Sequence, residues 1–301
     1  MSLLPSYRGS VNAWECDEND HLNVRFFLAK ANQGLPFALD ALGLRAAMQE
    51  HKAHPRIRAQ HVRFLREARL ATPLTAHAGL ARSAAHGLTI YSELRHSQTG
   101  EVMAAVLTEV DFVTAEGSQR LVPVPHHAVM CEVPEHGAPR GIGPDAASLR
   151  PDHRSVAELG FVEIGRGSVA PWECDVHGEL EPFQYVGRIS DSVVNLMAHY
   201  QSDEELSRRS RGEEGGALVE LRIVHHAPLR AGDLFTIQSG IAAVGRKTQH
   251  IVHLFFDELS RACVASAEGI AVAMDLKTRR AVELPEARRE RIQARLLRLP
   301  R

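Results

Sequence analysis

Cysteines and aromatic residues are scarce in this chain. Among 301 residues there are four cysteines, two tryptophans and an aromatic content of 5%. Cys16, Cys131, Cys174 and Cys263 form no C-x-x-C pair, which argues against a zinc ribbon or a thioredoxin-type redox centre. No apolar run approaches the roughly 20 residues that a bilayer span needs. The opening MSLLPSYRGS lacks a basic patch followed by an apolar core, so no signal peptide is expected, and a cytoplasmic, thiol-reducing setting is. No charge of one sign dominates. The formal net charge is −2 and the 35 basic residues are spread along the chain, which gives no electrostatic case for nucleic acid. Phosphate loops, G-x-G-x-x-G and G-x-S-x-G are all missing, against nucleotide hydrolysis, dinucleotide redox and the serine-hydrolase route. The 17 histidines include no H-x-H or H-x-x-x-H spacing. The adjacent pairs His126-His127 and His225-His226 would face opposite sides of a strand, so no metal site is expected.

Apolar residues make up 44% of the chain and charged residues 24%, a globular balance. The length suits about two domains, each able to bury a core without disulfide or metal support. A shift of 158 residues lays GSVNAWECD at 9–17 on GSVAPWECD at 167–175. Seven of those nine positions are identical, both tryptophans included, and Leu22 falls on Leu180. A period this long indicates duplication of a domain, not a solenoid.

The order of elements repeats too. In the first copy a strand is expected at 7–14, a polar turn at 17–20 and a helix at 22–44. Val24, Phe27, Leu28, Ala31, Leu35, Ala38 and Leu42 recur there at helical spacing. Pro36 is expected to kink that helix or to start a new one. Strands follow at 57–70, 74–82, 88–95 and 101–113, the last two joined as a hairpin around Ser97-Gln98-Thr99-Gly100. The second copy reads as a strand at 161–172, a turn at 175–178, a helix at 183–199 and strands at 217–227, 234–243, 248–257 and 262–275. One strand, one long helix and four antiparallel strands form an α+β pattern, solved by a sheet wrapped around the helix. Residues 132–155, with Pro134, Gly137, Pro139, Gly141, Gly143, Pro144 and Pro151, read as a linker between domains at 1–131 and 156–301. The arginine-rich stretch 286–299 reads as a solvated surface helix.

The turn at the first strand–helix junction runs Trp14-Glu15-Cys16-Asp17-Glu18-Asn19-Asp20-His21-Leu22-Asn23. Acidic and amide groups cap helices in any case. Capping does not explain why Trp-Glu-Cys-Asp recurs, nor why a His and an Asn stand two apart. Asp17-x-x-x-His21-Leu22-Asn23-x-x-x-Phe27 resembles the 4-hydroxybenzoyl-CoA thioesterase-like branch of the hotdog superfamily. Members often carry Asp-x-x-Gly-His-x-Asn-x-x-x-Tyr. Here Asp20 stands at the Gly position and Phe27 at the Tyr position. The bend Pro228-Leu229-Arg230-Ala231-Gly232-Asp233 is similar to the Gly-Asp bend between hotdog strands.

The resemblance implies two tandem hotdog domains in one chain, paired as an intrachain pseudo-dimer. It implies hydrolysis of an acyl thioester, with acyl-CoA the leading substrate and acyl carrier protein the other carrier. No cofactor is expected beyond coenzyme A as part of the substrate, and homodimerisation of the chain stays open. Asp17 is the expected nucleophile or general base, at a helix N-terminus whose N–H groups favour an oxyanion. His21 would orient the carboxylate or the carbonyl, and Asn23 would hold water or the thioester oxygen. Asp175 keeps the second copy eligible, although Glu179 replaces His21 and Glu181 replaces Asn23. One productive site is expected, with the fuller motif favouring the first copy. The alternatives are a hotdog dehydratase or hydratase, and a non-catalytic acyl-CoA-binding module.

Three further readings complete the expectation. Cys16 and Cys174 are small apolar residues at buried strand ends. The tryptophans pack the strand–helix junctions. Within the cluster Arg56, Arg58, Arg63, Arg66 and Arg69, Arg63 and Arg66 are candidates for the coenzyme A phosphates, against an ordinary exposed strand face.

Overall fold

The computed structural model describes residues 3–84, 87–125, 128, 130–143 and 145–299; His126, His127 and Pro144 lie outside them. The chain divides into two compact units, Met1–Pro139 and Arg140–Arg301. Among the described residues, no helix is long and apolar enough to cross a membrane.

The first unit begins with strand β1, Leu4–Ser10, and a short 3-10 turn at Ala13–Glu15. Helix α1, Val24–Ala41, and helix α2, Leu44–Glu50, follow. Strands β2 (His54–Phe64), β3 (Pro73–Ala84), β4 (Gly87–His96) and β5 (Val102–Val113) complete it. The order across the sheet is β1-β3-β4-β5-β2, with every neighbour antiparallel. The apolar stripe of α1 packs on the inner face of that sheet. Leu35, Ala38 and Leu39 meet Ala78, Leu80, Leu88, Ile90, Val110 and Phe112 in one buried cluster. Each large side chain so buried contributes about 1.5–3 kcal/mol.

Pro36 does not interrupt the helix; α1 runs through it to Ala41. Pro36 is exposed, so the Asn32 carbonyl that lacks its N–H partner can turn to water, while Leu35 and Ala38 keep the core contacts.

The second unit repeats the plan. Strand β6 (Val162–Ser168) and a 3-10 turn at Pro171–Glu173 lead into helix α3 (Pro182–Met197). A short helix follows, α4 (Asp203–Ser210), which the sequence reading missed. Then come β7 (Glu214–His225), β8 (Leu234–Val244), β9 (Thr248–Asp257) and β10 (Cys263–Asp275). The short β11 (Arg280–Ala281) pairs with β10, and α5 (Glu286–Gln293) follows. Its order, β6-β8-β9-β10-β7, is that of the first unit.

Close approach of helix to first strand is met differently in the two units. A Cβ on Gly34 of α1 would stand 2.9 Å from Ser6 Oγ. In the second unit Ser192 takes the place of Gly34, and the glycine has moved to the strand. A Cβ on Gly165 would stand 2.4 Å from Ser192 Oγ. One missing side chain per contact is what the packing requires, and either element can supply it.

The stretch 132–155 is docked, each part on its own unit. His136 Nε2 lies 2.7 Å from the buried Glu93 carboxylate, and Arg63 donates to the Ala138 carbonyl at 3.0 Å. In the second unit Glu220 accepts the N–H groups of Arg140 and Gly141, at 2.8 and 2.7 Å. The Ala147 N–H bonds Glu268 at 2.6 Å. Buried carboxylates on strands thus satisfy the backbone of an irregular segment.

The C-terminal stretch is not the solvated helix expected from its charges. Arg288 is 2% exposed and pairs with Glu205 at 2.7 Å and Glu214 at 2.6 Å. The carboxylate from α4 creates that demand, so missing α4 hid it.

Candidate active site

The loop that carries Asp17 is closed by hydrogen bonds at several points. The Glu15 carboxylate accepts the Asn12 N–H at 2.8 Å, and the Glu15 carbonyl accepts the Asn23 N–H at 2.9 Å. The Asp17 N–H bonds the His21 carbonyl at 3.0 Å, and the Leu22 N–H bonds the Ala68 carbonyl at 2.7 Å. These bonds force a tight turn between Asp17 and His21. Asp20 completes it with φ at 59°.

The turn brings two of the three expected side chains together. His21 Nδ1 lies 3.1 Å from Asp17 Oδ1, an ion-pair contact rather than a linear hydrogen bond. Asp17 Oδ1 also accepts the Asn19 N–H at 2.9 Å. Asp17 Oδ2 has no partner among the described residues. Burial works to lower the His21 pKa, but the Asp17 carboxylate at the ring and the charge of Glu67 outweigh it, so the net shift is upward. Asn23 has a structural occupation: its side-chain oxygen accepts the Arg25 N–H at 3.1 Å as the N-cap of α1. The next residue, Val24, begins the helix, and its N–H has no acceptor among the described residues.

The second loop keeps the frame and changes the groups. The Asp175 N–H bonds the Glu179 carbonyl at 2.8 Å, and the Glu181 N–H bonds the Glu173 carbonyl at 3.0 Å. Asp175 Oδ1 accepts the N–H groups of His177 and Glu179, at 2.8 and 3.0 Å. Glu179, in place of His21, pairs with Arg230 at 2.9 Å. Glu181 stands at the N-cap without a side-chain cap bond, and burial followed by the Asp175 charge raises its pKa. Pro182 occupies the position of Val24, so the first helical residue has no N–H.

The family model of the thioesterase-like superfamily matches residues 11–132 and 169–295. The chain belongs to that superfamily. Three solved structures resemble it over most of both chains. A protein of Lactobacillus plantarum, provisionally assigned as an oleoyl thioesterase, has a TM-score of 0.65 at 14% identity, over 95% of this chain and 98% of that one. An acyl-ACP thioesterase of Bacteroides thetaiotaomicron has a TM-score of 0.64 at 12% identity, over 88% and 96%. The 12:0-ACP thioesterase of Umbellularia californica has a TM-score of 0.60 at 10% identity, over 88% and 92%. At these identities the likeness is one of fold: two tandem hotdog domains, each an antiparallel sheet around a long helix. No curated protein matches the sequence.

Other expected residues of this thioesterase-like chain are placed as follows. Arg63 is committed to the Ala138 carbonyl, and Arg66 pairs with Glu101 at 3.2 Å with both side chains largely exposed. Cys16 and Cys174 are half-buried, and burial together with adjacent carboxylates raises both thiols, which disfavours the thiolate a nucleophile needs. The tryptophans do not pack the strand–helix junctions. Trp14 is 77% exposed and Trp172 is 86% exposed, because the 3-10 turn that carries each points it outward while the following Glu turns in.

That inward Glu is what the sequence reading missed. Glu15 meets Lys30 of α1 at 2.7 Å, and Glu173 meets Arg188 of α3 at 2.6 Å. The signal was available: Lys30 and Arg188 are themselves 158 residues apart.

Proposed function

We propose that the chain hydrolyses an acyl thioester and that the first copy carries the working site. The Asp17–His21 pair at the N-terminus of α1, in a chain of the thioesterase-like superfamily, carries this reading. A thioester carbonyl over the first turn would meet the Val24 N–H, a donor suited to the developing oxyanion. Asp17 Oδ2 then attacks the carbonyl carbon, or takes a proton from water as that water attacks. In the first route the C–O bond forms, the C–S bond breaks and the thiolate leaves; water then cleaves the resulting anhydride, releasing the acid and restoring the carboxylate, and the proton it gives up makes the thiol. In either route His21, in contact with Asp17 Oδ1, holds the carboxylate in place. Asn23, fixed as the helix cap, presents its amide beside the same turn.

The second copy supports the carbonyl less well. Pro182 offers no N–H donor, and Glu181 puts a carboxyl group in place of the Asn23 amide beside that turn. Asp175 then serves its turn by holding two backbone N–H groups.

Acyl-CoA is the leading substrate in this reading. The fold shared with two acyl-ACP thioesterases supports acyl carrier protein as the second candidate for the carrier. Arg66, loosely paired and exposed, can exchange Glu101 for a phosphate, whereas Arg63 has less to give because Ala138 holds it.

Thiol release from a panel of acyl-CoA and acyl-ACP thioesters tests the reading, and release from none of them rejects it. Asp17→Asn is expected to lower kcat by roughly 10²–10⁴-fold. Asp175→Asn should leave kcat within a few-fold of the parent. The reverse pattern would assign the work to the second copy, and two fully active variants would remove the aspartate mechanism.

A further inference from the structure

We propose that Lys30 and Glu15 are positioning residues, a buried ion pair that fixes the segment 12–17 on α1 and so sets where Asp17 stands against His21. The consequence for turnover rests on the thioesterase reading above; the geometric claim does not.

Lys30 is 3% exposed and Glu15 7%. An ammonium has three donors, and the structure uses three. Lys30 Nζ bonds Glu15 Oε1 at 2.7 Å, the Ser10 carbonyl at 3.2 Å and the Tyr7 hydroxyl at 3.3 Å. It therefore gathers β1, the 3-10 turn and α1 onto one atom. Glu15 is held from three sides: by Lys30, by the Asn12 N–H on its other carboxylate oxygen, and by the Asn23 N–H on its carbonyl. Asp17 is two residues further on. With Glu15 fixed, the Asp17 backbone has little freedom to move away from His21.

Stability alone is a poor reason for such a pair. Two charges removed from water are costly, and apolar residues of similar volume often serve a core as well or better. Yet both copies retain an ion pair while the residues around the aspartate have diverged. The second copy changes the cation from Lys to Arg and keeps the charge. Arg188 Nη2 reaches both oxygens of Glu173, at 2.6 and 2.7 Å, and Glu173 again accepts a backbone N–H, that of Ala170, at 2.9 Å. What persists is a charged tie between helix and aspartate loop, in two chemical forms.

The test follows the His21 ring in the full-length protein. Its Cε1–H resonance, assigned by its loss in His21→Gln, reports the groups that face it, Asp17 and Glu67. In the parent and in Lys30→Arg, His21 should titrate above the ordinary histidine value. In Lys30→Met and in Glu15→Gln it should fall toward about 6.5. The double variant should match the singles, because each breaks the same tie. On an active thioester, Lys30→Met should lower kcat by about 100-fold with KM unchanged, as a small misplacement of a reacting group does. Lys30→Arg should restore it. All readings are taken where near-UV circular dichroism shows the variant folded; if Lys30→Met does not fold, Glu15→Gln carries the same comparison. An unchanged His21 titration in a folded variant overturns the proposal, and a shifted His21 with unchanged kcat overturns its consequence for turnover. A shifted His21 in a protein that cleaves no thioester rejects the thioesterase reading and leaves the positioning role standing.

Discussion

Asp20 holds a backbone conformation, φ 59°, that side chains with a Cβ adopt at a cost; its counterpart Gly178 holds φ 75° without one. The resembling family usually places Gly there, and the turn geometry explains why. Asp is among the few other residues that tolerate the left-handed region, since its short side chain can bond locally. Asp20→Gly is therefore expected to keep or slightly raise stability, whereas Asp20→Val should cost about 1–2 kcal/mol. Urea midpoints of the two variants check this, and a Val variant as stable as the parent would contradict it. Asn23 shows how one side chain answers two descriptions. Its place in the sequence motif makes it a candidate site residue, and it caps α1 through the Arg25 N–H. Its loss should cost stability as well as any activity, on the order of 1 kcal/mol by the usual value of a cap.

Among the elements, α5 depends most on a few polar contacts. Arg288 is enclosed between Glu205 of α4 and Glu214 of β7, and Arg291 adds a further pair to Glu205. Glu205 is held below the usual carboxylate range: burial opposes this, but the Ser202 backbone N–H and Arg288 prevail. Breaking such a pair from one side leaves a buried charge without its partner. Arg288→Ala is expected to destabilise by about 3–5 kcal/mol. Replacing all three members by Met, Gln and Gln should cost far less, since no buried charge is stranded: Arg291 and Arg208, which lose Glu205 and Glu214, are partly exposed to water. Thermal unfolding of the single and triple variants separates the two cases; equal losses would show that packing volume, not charge, holds α5.

At the scale of the whole molecule, buried histidines set a response to pH. In the second unit His225 lies against Tyr185, with ring centroids 4.7 Å apart, and His253 bonds Ser239 at 2.7 Å. Burial pushes His253 down to about 3; burial and then the charge of His226 push His225 down to about 3. Burial and then Arg150 push His226 down to about 4. The folded unit leaves these rings neutral between about pH 6.5 and pH 4, while the unfolded chain protonates them near 6.5. The unfolded state therefore binds more protons in that window, and stability falls as pH falls. Each histidine contributes up to about 1.4 kcal/mol per pH unit. His21 of the first unit has the opposite sign: its raised pKa gives stability that is full below the unfolded value and lost as pH rises through the folded one. The urea midpoint of the second unit, followed by hydrogen exchange in β7 and β9, should fall between pH 7 and pH 5. A flat response there would contradict the neutral burial of the three rings.

The sequence alone determined the duplication, the helix–sheet plan of each copy and the loop on which the candidate chemistry sits. Repeats and hydrophobic periodicity are local records of burial, and GSV-x-x-WECD, the α1 stripe and most strand cores are legible in them. It could not decide which direction each repeated side chain faces. Trp14 looks like a core residue and is exposed; Glu15 looks like a surface residue and is buried against Lys30. Pro36 looks like a break, and the helix passes through it because its side faces solvent. The row of arginines near the C-terminus looks solvated until α4 supplies the Glu205 carboxylate that encloses Arg288. The burial of Glu15 and of Arg288 turns on contacts between residues 15 and 83 positions apart along the chain. No pattern in one segment encodes the charge or the space that a distant segment will offer, so those decisions belong to the tertiary structure.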